Sequence, residues 1–164
     1  MDVNRYLMDQ PVTLANLDKF YDEYKEGKIQ KHYRSLPVPN DNNGLIRTIV
    51  GNNFKNYIPN KEGKLTLIYF HEKNCEDCPK FDALFKHVAM NEEFRGKVIF
   101  AEMDSNKNDV YGLQVEDTPS VGVFKPGEKK VQMYGGNMKK KDRLEDFIRK
   151  ILSKLNSEED STDL

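Results

Sequence analysis

Two cysteines occur in the 164 residues, and they stand three apart in the string Cys75-Glu76-Asp77-Cys78. A thiolate is the nucleophile of disulfide exchange, so one sulfur can attack a substrate disulfide and a second can resolve the mixed disulfide that results. The offset puts Cys78 under Cys75 on one turn, close enough to close a small ring. The string follows the apolar run Leu65 to Phe70 and precedes an amphipathic segment. That junction predicts Cys75 at or near a helix N-terminus, where unpaired N–H groups and the helix dipole favour a thiolate. In a strand–helix–strand setting such a pair reads as a thiol–disulfide redox site. Two other readings stay open. His71, Cys75 and Cys78 give three metal ligands, although a structural zinc site needs four and there is no further cysteine. The pair could also be inert. Of the other histidines, His87 falls on a helix and His32 borders a linker.

A second feature is Thr118-Pro119, just ahead of the strand-like Ser120 to Phe124. A proline at the start of a strand loses no ladder donor and can be a plain turn residue. Beside a two-cysteine site the sharper reading is a cis proline packed against the disulfide, with the preceding backbone free to pair with an extended substrate. The residues between the sulfurs, Glu76 and Asp77, oppose ionisation of Cys75 by like-charge repulsion. In the first turn of a helix the same carboxylates suit the dipole.

The rest of the composition narrows the class. Hydrophobic residues at 37% and charged residues at 32% suit one globular domain rather than a disordered chain. Lys and Arg number 26 against 27 Asp and Glu, which leaves no electrostatic case for nucleic acid or an anionic membrane. No run nears the roughly 20 apolar residues of a membrane-spanning helix. MDVNRYLMDQ has neither a basic nor an apolar region, so no signal peptide is read at the start.

The elements that must position the cysteines follow from periodicity. Leu14, Leu17, Phe20, Tyr21 and Tyr24 share a helical face within residues 12–33, with Thr13 as the cap and Gly27 as the stop. A single helix of this length needs a partner, in the main domain or outside the chain. Residues 34–44, with Pro37 and Pro39, read as a partly extended linker. A domain over residues 45–155 then alternates: strand Ile46 to Val50, short helix Asn53 to Ile58, buried central strand Leu65 to Phe70, and a helix bearing Phe81, Leu84, Phe85 and Val88. Strand Val98 to Met103, parallel to the central one, a short helical crossing Asn108 to Gly112, and a hairpin of Val121 to Phe124 with Lys130 to Tyr134 come next. The last helix spans Lys140 to Leu155, and residues 156–164 read as an acidic disordered tail. The predicted class is α/β, a central mixed sheet with helices on both faces.

The strings LTLIYFHEKNCEDCPKF, VIFAEMD, YGLQVEDTPSVGVFKPG and MYGG followed by LEDFI resemble a thioredoxin-fold domain of protein disulfide isomerase. Upstream, LANLDKFYDEYKEGKIQKHYRSLPVP is similar to the last helix of a preceding non-catalytic domain and the linker into the C-terminal catalytic domain. The resemblance implies a fragment or short form of a multidomain enzyme of the endoplasmic reticulum lumen, with cytoplasm as the alternative. It implies Cys75 as exposed nucleophile, Cys78 as buried resolving thiol and Pro119 as the cis proline after Thr118. No cofactor or metal is implied. The partners would be folding polypeptides with thiols or disulfides and the other domains of the parent protein. An acidic C-terminal tail is common in the family; the closing STDL lacks the retrieval consensus.

The departures are specific. The family usually has Trp-Cys-Gly-His-Cys-Lys; here Asn74 replaces the aromatic residue and Asp77 the thiolate-stabilising histidine. The buried acid of the central strand falls at Tyr69, which cannot relay protons at neutral pH, and the usual arginine after the last strand falls at Asn137. His71 could compensate if its imidazole approaches Cys75. The expectation is a competent but weakly oxidising site. The alternative is a redox-weak client-binding or scaffold domain, and a small cytosolic redoxin is a third reading. The KKK run at 139–141 reads as a solvated face, although a helix start prefers acids.

Overall fold

The computed structural model of the chain describes residues 5–110 and 112–160. It divides into two compact units, Met1–Arg34 and Ser35–Leu164. In the first, α1 (Leu14–Lys25) begins at Thr13, whose hydroxyl accepts from the Asn16 N–H at 3.2 Å. Gly27, just past the cap, supplies the left-handed φ of 69° that ends the helix. None of the α1 side chains is buried, and Leu14 is 83% exposed.

The second unit is built on a five-stranded sheet in the order β1-β3-β2-β4-β5. The strands are β1 (Arg47–Thr48), β2 (Leu65–His71), β3 (Val98–Asp104), β4 (Ser120–Phe124) and β5 (Val131–Met133). β3 runs parallel to both β1 and β2, whereas β4 is antiparallel to β2 and β5 antiparallel to β4. The sheet is therefore mixed, as expected. Alternate residues of β2 face opposite ways, and the continuous apolar run is what a strand covered on both faces requires. Leu65, Leu67 and Tyr69 join the core beneath α3 (Cys78–Ala89) and α4 (Lys141–Asp160). Ile68 and Phe70 join a second core with Ile49, Phe54 and Ile58, around the short α2 (Phe54–Tyr57). Helices thus lie on both faces. Buried Glu145 of α4 accepts from Asn91 Nδ2 at 3.2 Å and pairs with Lys141 and Arg149, tying α4 to the turn after α3.

Several expectations change. The described residues of 108–112 form no helix: Val110 and Leu113 form an isolated bridge and Gly112 has φ 75°. The reason is Asn108, whose buried side chain serves other backbone groups. Its Oδ1 accepts from Leu36 N at 2.9 Å and Gly51 N at 3.1 Å, and its Nδ2 donates to Asp104 O at 3.0 Å. Residues 35–44, read as linker, are therefore hydrogen-bonded onto the second unit; Asn42 likewise bonds both backbone groups of Thr48. Helix α4 continues through Asp160, five residues into the segment read as a disordered tail, because no Gly or Pro stops it. The last four residues of that tail lie outside the described residues.

Replacing Asn108 with Ala strips two backbone N–H groups of their acceptor, so the full chain is expected to lose about 2–3 kcal/mol of stability. The measurement is the urea midpoint, with the slope of the transition unchanged.

Candidate active site

β2 ends at His71, and six residues separate it from the start of α3 at Cys78. Cys75 thus lies three residues ahead of the helix, not within it, and of the two cysteines Cys78 alone sits in the first turn. Pro79 occupies that turn as well, where its missing N–H costs no helical bond. The two cysteines are joined as a disulfide with Cα atoms 5.3 Å apart. Their exposure differs: Cys78 is buried, at 7%, while Cys75 is partly open to solvent. An incoming thiolate can therefore reach one sulfur of the bond and is shielded from the other.

Tyr69 lies under the buried sulfur's residue. Its hydroxyl donates to the Cys78 carbonyl at 3.1 Å, and its ring packs against Phe81 at 5.0 Å and Phe85 at 5.5 Å. Burial, with Asp82 and Glu102 adding repulsion, pushes the phenol pKa far above its ordinary value. Tyr69 is therefore a fixed hydroxyl donor holding the start of α3 to the central strand. The expectation that it is no proton relay agrees with this state.

The peptide between Thr118 and Pro119 is cis, and the Thr118 hydroxyl donates to Glu72 Oε1 at 2.8 Å. That bond ties the proline loop to the segment leading into the cysteines. Glu72 was not singled out from sequence; only the antiparallel pairing of β2 with β4 brings it to Thr118. A second cis peptide, Ile58–Pro59, gave no signal either. Asp77 faces two cations, Lys80 Nζ at 3.7 Å and Lys139 Nζ at 4.0 Å, so its charge is partly countered. Glu76 is exposed, with no ion pair among the described residues. His71 turns its ring to Tyr69, with centroids 5.4 Å apart, and its carbonyl accepts from the Ser105 N–H at 2.9 Å. No hydrogen bond joins His71 and Cys75 among the described residues. The ligand trio of the metal reading is not assembled, since the two sulfurs bond each other and the imidazole stacks on Tyr69.

An intact pair at this strand–helix junction, in a segment tied through Glu72 to the cis-proline loop, sits in a chain whose residues 46–150 match the thioredoxin family. The chain belongs to the thioredoxin family. Among its relatives in that family, a probable protein disulfide-isomerase A4 of Caenorhabditis elegans is 33% identical, over 82% of this chain and 22% of the relative. The protein disulfide-isomerase of Hordeum vulgare is 29% identical over 91% of this chain and 28% of its own length. The chain thus spans about a quarter of the curated relatives it matches. In structure, the first thioredoxin domain of mouse protein disulfide-isomerase A4 superposes with a TM-score of 0.53 at 18% identity, covering 71% of this chain and 80% of that one. The zinc-bound form of human ERp44 superposes with a TM-score of 0.53 at 19% identity, over 64% of this chain and 30% of that one. These superpositions support the thioredoxin fold. The chain is accordingly a thioredoxin-fold domain related to protein disulfide isomerases, with a redox-capable cysteine pair. No helix among the described residues is long and apolar enough to cross a membrane.

The raised Tyr69 pKa has a definite sign. Folded chains keep the phenolic proton above pH ~10, where unfolded chains lose it, so that contribution to stability is present below pH ~10 and fades as pH rises past it. Tyr69→Phe is expected to lose about 1 kcal/mol near neutral pH, from the missing bond to Cys78. It is also expected to show a shallower decline above pH ~10, read by denaturant unfolding across that range.

Proposed function

We propose that this chain is a thiol–disulfide exchange domain of a multidomain protein disulfide isomerase, acting on folding polypeptides in the endoplasmic reticulum lumen. The observation that carries the reading is the unequal burial of the two cysteines, in a segment tied through Glu72 to the cis Thr118–Pro119 loop. In the oxidising direction a client thiolate attacks Cys75 Sγ, the Cys75–Cys78 bond breaks, and Cys78 leaves as a thiolate that takes up a proton. A second client thiolate then attacks the client sulfur of the mixed disulfide and releases Cys75. Two electrons pass from the client dithiol to the domain, and the client gains the disulfide. In reverse, Cys75 attacks a client disulfide and Cys78 resolves it. Isomerisation uses the first step alone, with another client thiol releasing Cys75. Thr118 and Pro119 position the client backbone, and no cofactor enters.

The charge pattern sets the poise. Asp77 stands where relatives carry a thiolate-stabilising histidine, and the exposed Glu76 adds a second repulsive charge. Lys80 and Lys139 offset Asp77 only through exposed, well-solvated contacts. Less thiolate stabilisation means a less stable reduced form and a weaker oxidant.

Insulin reduction is expected to proceed with the wild-type chain and to vanish in Cys75→Ser; absence of turnover in the wild type would support a client-binding scaffold instead. In glutathione buffers the midpoint is expected to be more negative than the ~−180 mV of protein disulfide isomerase, and Asp77→His is expected to raise it. A wild-type midpoint at or above that value removes the charge argument.

A further inference from the structure

The KKK run takes three separate paths in the structure. Lys139 reaches Asp77 and Lys141 pairs with Glu145 at 3.4 Å, whereas Lys140 makes no ion pair among the described residues. Lys140 lines an open groove of about 550 Å³ together with Tyr134, Gly136, Arg143, Phe147 and Lys150. Arg143 and Lys150 also make no ion pair among the described residues, and the one acid on the lining, Asp146, is already held by Arg149 at 2.9 Å. The groove therefore presents three cations without ion pairs among the described residues, against the single carboxylate of Asp146.

Its floor carries an independent mark. Tyr134 is only 8% exposed, and its hydroxyl is buried with no hydrogen-bond partner. A buried hydroxyl left unpaired is costly, so a native one calls for a partner. The ring packs on Phe147 with centroids 4.9 Å apart, and a Cβ on Gly136 would collide with the hydroxyl. Arg143 lies near enough for its charge to be felt at that hydroxyl, against the upward push of burial on the phenol pKa. A neutral donor and a guanidinium thus converge in one groove, a combination suited to a carboxylate.

The spacing indicates the size of the ligand. From Lys141, the residue after Lys140, to Lys150 the helix rises ~14 Å, which is more than one small anion can bridge. An extended peptide covers that distance in about five residues. We propose that the groove between the β5–α4 loop and the outer face of α4 binds an extended acidic peptide, its carboxylates meeting Lys140, Arg143 and Lys150 and one of them accepting from Tyr134. Lys139, one residue before Lys140, pairs with Asp77 between the two cysteines, so the loop that lines the groove also reaches the redox pair. Its use in selecting clients with acidic residues near a cysteine rests on the exchange reading above; the groove's charge and its unpaired hydroxyl do not.

The test is fluorescence anisotropy of the full, oxidised chain with a labelled peptide of about six glutamates and no cysteine, a length chosen to fill the groove. Saturable one-to-one binding is expected in low salt, weakening as salt shortens the Debye length from ~10 Å at 0.1 M to ~3 Å at 1 M. Arg143→Glu and Lys150→Glu are expected to weaken it about tenfold each, since each puts like charge against the ligand. Tyr134→Phe should weaken it roughly threefold by deleting one hydrogen bond. Lys55→Glu, on α2 across the sheet, should leave it unchanged. Each variant is first matched to the wild type in thermal midpoint. Absence of saturable binding, binding unaltered by both charge reversals, or displacement of the peptide by an equal concentration of inorganic phosphate would overturn the proposal. The probe cannot exchange disulfides, so an inactive cysteine pair leaves this result standing, and failed binding leaves the insulin assay unaffected.

Discussion

The burial of β2 on both faces is the constraint from which the remaining structure follows. A strand with no solvent-facing side must be covered by helices above and below and flanked by strands on both edges. Here β3 and β4 supply the edges, α3 and α4 one cover, and α2 with its neighbours the other. Its C-terminal end is the point at which this burial stops. The chain emerges at His71 and Glu72, and Cys75 follows within a few residues, so the more open sulfur of the pair stands at the boundary between core and water. Tyr69 fastens that boundary from below by bonding the Cys78 carbonyl.

Within that frame the site balances two demands. The start of α3 favours negative charge, and Asp77 meets that preference while facing Lys80 and Lys139. A thiolate at Cys75 would be served less well, since carboxylates near it oppose its ionisation. A site can thus retain both sulfurs and the cis proline while its electrostatic poise is set by neighbours that touch neither sulfur.

The sheet strands and the redox pair were legible from sequence because their signals are local. LTLIYF, VIFAEM and SVGVF are runs that only a buried strand accommodates well, and Cys-Glu-Asp-Cys after such a run points to its own chemistry. Contacts across the chain were not legible. Nothing in residues 108–112 states that Asn108 will spend its amide on Leu36 and Gly51, and that tertiary use displaces the short helix that local pattern suggests. The Glu72–Thr118 bond spans 46 positions and exists only through the pairing of β2 with β4. The acidic composition of the tail masked a helix that continues because nothing breaks it, a case where charge content says less than the absence of Gly and Pro.

The amide of Asn108 also settles where this module can be separated from whatever precedes it. Two prolines and a cluster of Asn and Asp invite a cut near residue 44, yet that cut discards the Leu36 and Asn42 partners and exposes the groups they satisfy. The separable piece starts at Ser35, ahead of both prolines. Recombining such domains at the proline-rich stretch would sever part of the fold itself, whereas a junction before Ser35 transfers it whole.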